Sequence, residues 1–332
     1  MVIICGGLRE GTSLRRRPDS IIGLALGGGA ARGLAHIGVL QALSEAGLNP
    51  QVIAGTSIGA VAGACYASDK LDELHDFATS LTVRKLLRYL DINLAGSSLM
   101  AGNRIEKALA EHLEGLLIEH LPKRFVAVAT ELGTGQEVWL TRGSLVAALQ
   151  ASYALPGIFK PVHIGGRWLL DGALVNPVPV TAARALGADF VIGVVLNSGG
   201  YLRSTLFPVE AEAHFDDAPD RSPPEEEKPR GRFSMMKRQL LGKRNGPPGI
   251  PRVMLEAFNI TQSRIARSRL AGDPPDITIH VQLDKVGLFD FHKADLAIEQ
   301  GRQAVRRYLS AIETESGSAM RATRNHDRPQ SL

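Results

Sequence analysis

The sequence predicts an α/β protein built on a mainly parallel sheet. Two short apolar runs, 21–26 and 52–54, are each followed by a glycine-containing turn and then by a segment with helical spacing. Continuous apolar runs of this length are typical of strands that are buried on both faces of a parallel sheet. Two strand–turn–helix units so close together predict a doubly wound sheet with helices on both sides.

The later elements continue this alternation. Leucines spaced among charged residues predict helices across 69–122, with a loop from Gly96 to Gly102. Apolar and β-branched runs predict further strands, and i, i+3, i+4 spacing of apolar residues predicts further helices. The predicted strands are 124–130, 137–140, 168–170, 190–196 and 277–281, and the predicted helices are 34–46, 144–152, 181–186, 253–270 and 293–312.

Composition narrows the class of protein. The chain has 332 residues, of which 44% are hydrophobic and 22% charged, as in ordinary soluble domains. Its net charge of +4 is too small to indicate a nucleic-acid partner, and we expect none. The two cysteines, Cys5 and Cys65, have no metal-ligand spacing, so we expect no metal. We expect Cys65 to pack as a small apolar residue.

We expect both termini and one internal segment to lie outside the folded core. Residues 1–20 lack the order of a signal peptide, because an apolar piece precedes the basic one. We expect a flexible N-terminal extension, a disordered tail over 313–332, and a cytoplasmic protein that contains no transmembrane helix. Residues 203–250 are rich in proline and charge, and they predict a mobile insertion. Its basic half, Lys228–Arg244, is either a solvated linker or an element that contacts an anionic membrane or covers the site.

The motif Gly55-Thr56-Ser57-Ile58-Gly59 lies between a strand and a helix. In this context the serine of a Gly-x-Ser-x-Gly turn is typically a nucleophile, with its hydroxyl exposed at the edge of the sheet. The following helix would place the positive end of its dipole near any negative charge that forms there. We therefore expect Ser57 to be the centre of the functional site.

The loop from Gly27 to Gly33 also follows a strand and opens a helix. A dinucleotide site would need an acid near the end of the next strand, and that strand ends in Ala54-Gly55-Thr56-Ser57. A Walker loop would need Gly-Lys-Ser/Thr, which is missing here. Two interpretations remain open from the residues alone: a tight turn, and an oxyanion hole in which backbone N–H groups meet a developing negative charge.

A nucleophilic serine needs a base. After Asp171 the chain offers His214, His280 and His292, but none has the local context of a catalytic base, and His36 lies on a predicted helix. Asp171 ends an apolar strand and precedes Gly172, so it could take the serine proton directly as the second member of a dyad. Asp-Gly is also common turn chemistry, and that alternative stays open.

Together these motifs resemble those of the patatin-like phospholipase family, most closely its bacterial branch related to neuropathy target esterase. The resemblance rests on the glycine loop, the Ser57 motif, Asp171-Gly172-Ala173 and the stretch Ala151–Pro161, and it covers about residues 21–312. It implies a three-layer fold, a Ser57–Asp171 dyad and hydrolysis of a lipid or acyl ester without a cofactor. It also suggests peripheral contact with the inner face of the membrane.

The resemblance also gives the glycine loop a role. It implies that backbone N–H groups near the start of the loop form the oxyanion hole and that glycines belong to each of the three motifs. The loop has one more alanine before its arginine than the plant-type pattern, so it aligns with that pattern in more than one way. The candidate N–H donors are therefore those of Gly28, Gly29, Ala30 and Arg32. The motif glycines are Gly27, Gly33, Gly55, Gly59 and Gly172. The main alternative function is a lipid-sensing or regulatory protein that keeps the fold without turnover; a nucleotide-dependent oxidoreductase is disfavoured by the missing ribose acid.

Overall fold

A computed structural model describes residues 21–82, 85, 111–197 and 250–316. The N-terminal extension 1–20, the loop Gly96–Gly102 and the Lys228–Arg244 segment lie outside these residues. So does the predicted insertion 203–250, apart from Ile250, and the part of the predicted tail beyond Ser316. The described residues form one central sheet with helices on both faces, which confirms the predicted α/β class.

Eight strands form the sheet within the described ranges. Their bounds are β1 Ile22–Leu26, β2 Val52–Thr56, β3 Arg124–Glu131, β4 Glu137–Leu140, β5 Val162–Ile164, β6 Arg167–Asp171, β7 Phe190–Asn197 and β8 Ile277–Gln282. The spatial order is β5-β6-β3-β2-β1-β7-β8, and β4 pairs with β3 beside this path. Because β2 and β7 flank β1 on opposite sides, a crevice opens beyond the carboxyl end of β1.

The parallel part of the sheet runs from β3 through β2, β1 and β7 to β8. The pairings of β3 with β4 and β6, and of β5 with β6, are antiparallel. The doubly wound sheet inferred from the first two strand–turn–helix units is therefore mixed at one side. β5 and β6 form a short hairpin, and the two residues of its turn, Gly165 and Gly166, have positive φ angles of 58° and 78°. A two-residue turn of this kind joins antiparallel neighbours, and β5, the first strand of the hairpin, is not among the predicted strands.

Seven α-helices cover the sheet in the described ranges. Their bounds are α1 Ala35–Glu45, α2 Ile58–Ala67, α3 Leu71–Thr79, α4 Leu145–Ser152, α5 Val180–Ala185, α6 Ile250–Gly272 and α7 Ala294–Ser316. Most lie within two residues of the predicted bounds, but α6 begins earlier, and α7 continues past Ile312 into the predicted tail. Alternating strand residues point to opposite faces: Leu24 and Leu26 pack towards α1, α2, α4 and α7, whereas Ala25 packs towards α5 and α6. The sheet is thus the middle of three layers.

Close helix packing fixes the C-terminal helix on the same face as α1. A Cβ atom at Gly38 of α1 would meet the backbone of Ile298, and one at Gly301 of α7 would meet the backbone of Ala35. The two helices therefore touch through glycines from both sides, and any larger residue at either position would push them apart. This contact anchors the end of the domain to the helix that follows the glycine loop.

Candidate active site

Ser57 occupies a sharp turn between β2 and α2. Its backbone has φ 56° and ψ −127°, a conformation that residues with a side chain rarely adopt. The turn is possible because its neighbours are glycines: a Cβ atom at Gly55 would collide with Ala60, and one at Gly59 would collide with the carbonyl of Leu26. Strain of this kind persists only where the surrounding structure holds it, and it is a feature of functional sites. The elbow therefore presents the Ser57 hydroxyl at the edge of the sheet, at the N-terminal end of α2.

The Ser57 hydroxyl meets Asp171 directly. Ser57 Oγ donates to Asp171 Oδ2 at 2.8 Å, and the Ala173 N–H donates to the other carboxylate oxygen, Oδ1, at 2.8 Å. Asp171 is only 2% exposed. Burial raises the pKa of Asp171 from its usual value of 3.8 to about 7, although the hydrogen bonds from Ala173 and Ser57 oppose the increase. A carboxyl group tuned in this way can hold and release a proton near neutral pH.

A buried serine braces the elbow from behind. The Ser57 N–H donates to Ser152 Oγ at 3.0 Å, and the Ser152 hydroxyl donates to the carbonyl of Val128 at 2.7 Å. Ser152 is fully buried at the end of α4, so it links the Ser57 turn to β3. The Thr56 hydroxyl adds a second tie, because it donates to the carbonyl of Asn176 at 2.8 Å. The sequence placed Ser152 within a family stretch but did not indicate this role.

The glycine loop begins where β1 ends and faces Ser57. Among its proposed donors, Gly28 N–H donates to the carbonyl of Pro177 at 3.0 Å, and Arg32 N–H donates to the carbonyl of Gly29 at 3.1 Å. The N–H groups of Gly29 and Ala30 donate to no acceptor in the described part of the chain. Ala30 has a positive φ of 49°, and both residues line the cavity in front of Ser57. Gly29 and Ala30 are therefore the two loop positions whose N–H groups remain available to a bound group.

Two side chains fix the position of this loop. His36 Nε2 lies 2.7 Å from the carbonyl of Gly27; because a carbonyl only accepts, Nε2 carries the hydrogen. Burial lowers the pKa of His36 from 6.5 to about 4, despite the opposing effect of this hydrogen bond, so the ring is neutral at physiological pH. Arg32 Nε donates to the carbonyl of Val286 at 3.0 Å. Both side chains thus hold the backbone of the loop, and His36 does not serve as a base.

An apolar cavity opens in front of Ser57 and Asp171. Ser57, Asp171, Gly29 and Ala30 form its polar end. Asp171 is the only charged side chain of the described residues that lines it. The walls are aliphatic and aromatic, and the aromatic side chains are Phe77, Tyr153, Phe159, Phe258, Phe289 and Phe291. A cavity with these walls and a few polar groups at one end suits an apolar chain attached to a reactive polar group.

The histidines considered as bases lie elsewhere. The ring of His280 contacts the amide of Asn197 at 2.9 Å, and His292 lies in a 3₁₀ turn, Phe291–Lys293; His214 is outside the described residues. Neither described histidine contacts Ser57.

Cys65 is buried and unpaired, in agreement with its predicted packing. Among the described residues, no cluster of three or more His, Cys, Asp or Glu side chains could hold a metal ion. Nor does any helix in these ranges have the length and apolar character needed to cross a bilayer.

Comparison with known proteins agrees with these motifs. A family model described as patatin-like phospholipase matches residues 24–184, which include Ser57, Asp171 and the glycine loop. An uncharacterized NTE family protein of Mycobacterium tuberculosis, Rv1063c, is 34% identical, and the alignment covers 91% of this chain and 95% of that protein. This chain belongs to the NTE family of patatin-like phospholipases. The family predicted from the motifs is thereby confirmed.

Two other relatives of the chain are longer than the chain itself. A second M. tuberculosis protein of the family, Rv2565, is 32% identical over 91% of this chain, which corresponds to 48% of the relative. The lysophospholipase NTE1 of Coccidioides immitis is 27% identical over 91% of this chain and 18% of its own length. Nearly the whole of this chain therefore matches one part of larger family members, and family membership supports a lipid hydrolase.

Proposed function

We propose that this protein hydrolyses carboxylic esters of lipids, with Ser57 as nucleophile and Asp171 as general base. The single observation that supports this most strongly is the 2.8 Å hydrogen bond from Ser57 Oγ to Asp171 Oδ2 at the polar end of an apolar cavity. A serine hydroxyl is a weak nucleophile until a neighbouring base takes its proton. The direct contact means that no histidine is required between the two side chains.

The first half of the reaction forms an acyl-enzyme. Asp171 takes the Ser57 proton while Ser57 Oγ attacks the ester carbonyl carbon. The carbonyl oxygen then carries negative charge, and the N–H groups of Gly29 and Ala30 stabilise it. We favour these two donors within the set Gly28, Gly29, Ala30 and Arg32, because the other two N–H groups already donate to carbonyl oxygens. When the tetrahedral intermediate collapses, the alcohol leaves with the proton that Asp171 returns.

The second half releases the acyl chain. Asp171 takes a proton from water, the resulting hydroxide attacks the acyl carbonyl, and the same N–H groups stabilise the second oxyanion. Collapse expels Ser57 Oγ, which regains its proton from Asp171, and the fatty acid leaves. The apolar cavity holds the acyl chain throughout, so that the ester carbonyl stays next to Ser57. Peripheral membrane contact and a cytoplasmic location stay predictions.

Active-site labelling combined with lipid analysis tests the proposal. We expect a fluorophosphonate probe to label the wild type but not Ser57→Ala, because the probe reacts only with an activated serine. We expect mass spectrometry of lipid extracts to show free fatty acid released by the wild type alone, with the two proteins equal in melting temperature. Binding of lipid without labelling or release would instead support a lipid sensor that keeps the fold.

A further inference from the structure

Gln262 of α6 projects a polar group beside the reacting serine. Its Nε2 atom lies 2.7 Å from the position that a Cβ atom of Gly28 would occupy. Ala173 Cβ lies 3.3 Å and Ser57 Cβ 3.5 Å from that same position, so the amide borders the elbow. The side chain is half-buried, and within the described residues its amide makes no hydrogen bond. A polar group this close to a nucleophile, with no protein partner in those ranges, is available to the substrate.

Gln262 also stands between two cavities. The first is the apolar cavity in front of Ser57. The second lies on the other side of the glycine loop, and the two share Gly29, Asn259 and Gln262. The described lining of the second cavity is more polar, with Asn197, Ser263 and His280 among its side chains. It also includes the cationic residues Arg32 and Arg267 and no acidic residue. The glycine loop therefore separates a space suited to hydrocarbon from a space suited to hydrogen-bonding groups.

The chemistry of an ester calls for two such spaces. An ester bound at Ser57 has an acyl arm and an alcohol arm that diverge from the carbonyl. The apolar cavity takes the acyl arm, which leaves the alcohol arm to cross the shared border. We propose that the second cavity binds the alcohol portion of the ester and that the Gln262 amide hydrogen-bonds to it. This inference rests on the proposed function and adds to it a preference for alcohols that carry further hydroxyl groups, such as glycerol.

A competing role for Gln262 is a third donor to the oxyanion, as amide side chains serve in some hydrolases. The two roles differ in what the alcohol changes. An oxyanion donor acts on every ester to the same extent, because all esters form the same oxyanion. A residue that binds the alcohol portion acts only on esters whose alcohol can hydrogen-bond. Two esters of one fatty acid therefore separate the roles.

The first test compares monodecanoylglycerol with methyl decanoate. We expect Gln262→Met, which keeps the side-chain length, to lower kcat/KM for monodecanoylglycerol by about 3- to 10-fold, as for loss of one neutral hydrogen bond. We expect methyl decanoate to change by less than about twofold, because its alcohol offers no second hydroxyl group. Arg264→Met, an exposed position on the same helix that lines neither cavity, should leave both values unchanged.

A second variant blocks the space rather than removing the hydrogen bond. Ala266 lines the second cavity only, and we expect Ala266→Phe to impair monodecanoylglycerol more than methyl decanoate. Equal losses on both esters in Gln262→Met, or no loss on either, would overturn the inference while leaving the hydrolase intact. Wild-type protein that cleaves neither ester, with folding verified by its thermal transition, would overturn the proposed function and this inference together.

Discussion

The parallel part of the sheet carries Ser57 and the glycine loop, whereas its antiparallel side carries Asp171. On the parallel side each of these features directly follows its own strand. The glycine loop begins at the residue after β1, and Ser57 is the residue after β2. These positions depend on local turns and on small residues that allow close approach. The position of Ser57 is therefore determined by a short, continuous stretch of chain.

Asp171 reaches the same place by a longer route. It is 114 residues from Ser57 in sequence and ends β6, which runs antiparallel to β3. Ala129 of β3 pairs with Asp171, and Val128 pairs with Thr56, so the register of β3 brings the Asp171 carboxylate level with Ser57. Strand pairing on both sides of β3 thus brings Asp171 to Ser57. The position of Ser57 thus depends on local turns, whereas that of Asp171 depends on long-range strand register.

Removing the base on the antiparallel side should have the largest effect. We expect Asp171→Asn to lower kcat by about 10²- to 10⁴-fold, the usual contribution of a general base. The amide keeps the shape of the carboxylate but cannot take the serine proton. The measurement is hydrolysis of a p-nitrophenyl ester, with the exposed Asp72→Asn as a matched control that keeps full activity. Full activity of purified, folded Asp171→Asn would contradict the dyad.

The pH dependence of the wild type examines the same group without mutation. In the proposed reaction Asp171 acts as a base only when ionised, and burial raises its pKa to about 7. Lowering the pH below that value protonates the carboxylate, so kcat/KM should fall about tenfold per pH unit, and it should level off above pH 7. An unperturbed aspartate would give a flat profile down to about pH 4. A profile that is flat between about pH 5 and pH 8 would show that Asp171 does not set the rate.

The sequence located the parallel side well because its signals are local. Apolar runs predicted β1 and β2, glycines predicted the turns, and the Ser57 motif stood in the expected strand–turn–helix context. Asp171 was also found, through a short apolar strand and an adjacent glycine. Its direct contact with Ser57 was one hypothesis among others from the residues, and the family resemblance favoured it over a histidine base.

What the sequence could not show depends on register and burial. The antiparallel direction of β6 follows from pairing with β3, although Gly165-Gly166 between two apolar runs is a hairpin signal that could have predicted β5. The partners of His36 and Ser152 lie across the fold, and no spacing reveals that a hydroxyl or an imidazole ring will meet a particular backbone group. Gln262 borders Ser57 only because α6 packs beside the glycine loop.

Removing the brace behind the elbow should have an intermediate effect. Ser152→Ala leaves the Ser57 N–H and the Val128 carbonyl without their shared partner, which should lower the free energy of unfolding by about 1–3 kcal/mol. We also expect kcat to fall by about 10- to 100-fold, because the serine loses its fixed position. Ser144→Ala removes the N-terminal cap of the same helix, α4, and should lower stability by about 1 kcal/mol with kcat unchanged. Equal kcat values in the two variants would show that the Ser152 hydrogen bonds do not affect catalysis.

The smallest effect should come from the hairpin that precedes Asp171. Gly166 has φ 78°, so Gly166→Ala should lower the free energy of unfolding by about 1–2 kcal/mol. We expect kcat to stay unchanged, because three contacts outside the turn also hold Asp171: its pairing with Ala129, its N–H bond to the Ala154 carbonyl at 3.0 Å, and the Thr130 hydroxyl on its carbonyl at 2.8 Å. Gly47→Ala, at φ 75° after α1, provides the matched control in chemical denaturation. If Gly166→Ala lowered kcat while Gly47→Ala did not, the turn rather than the register of β3 would position the base.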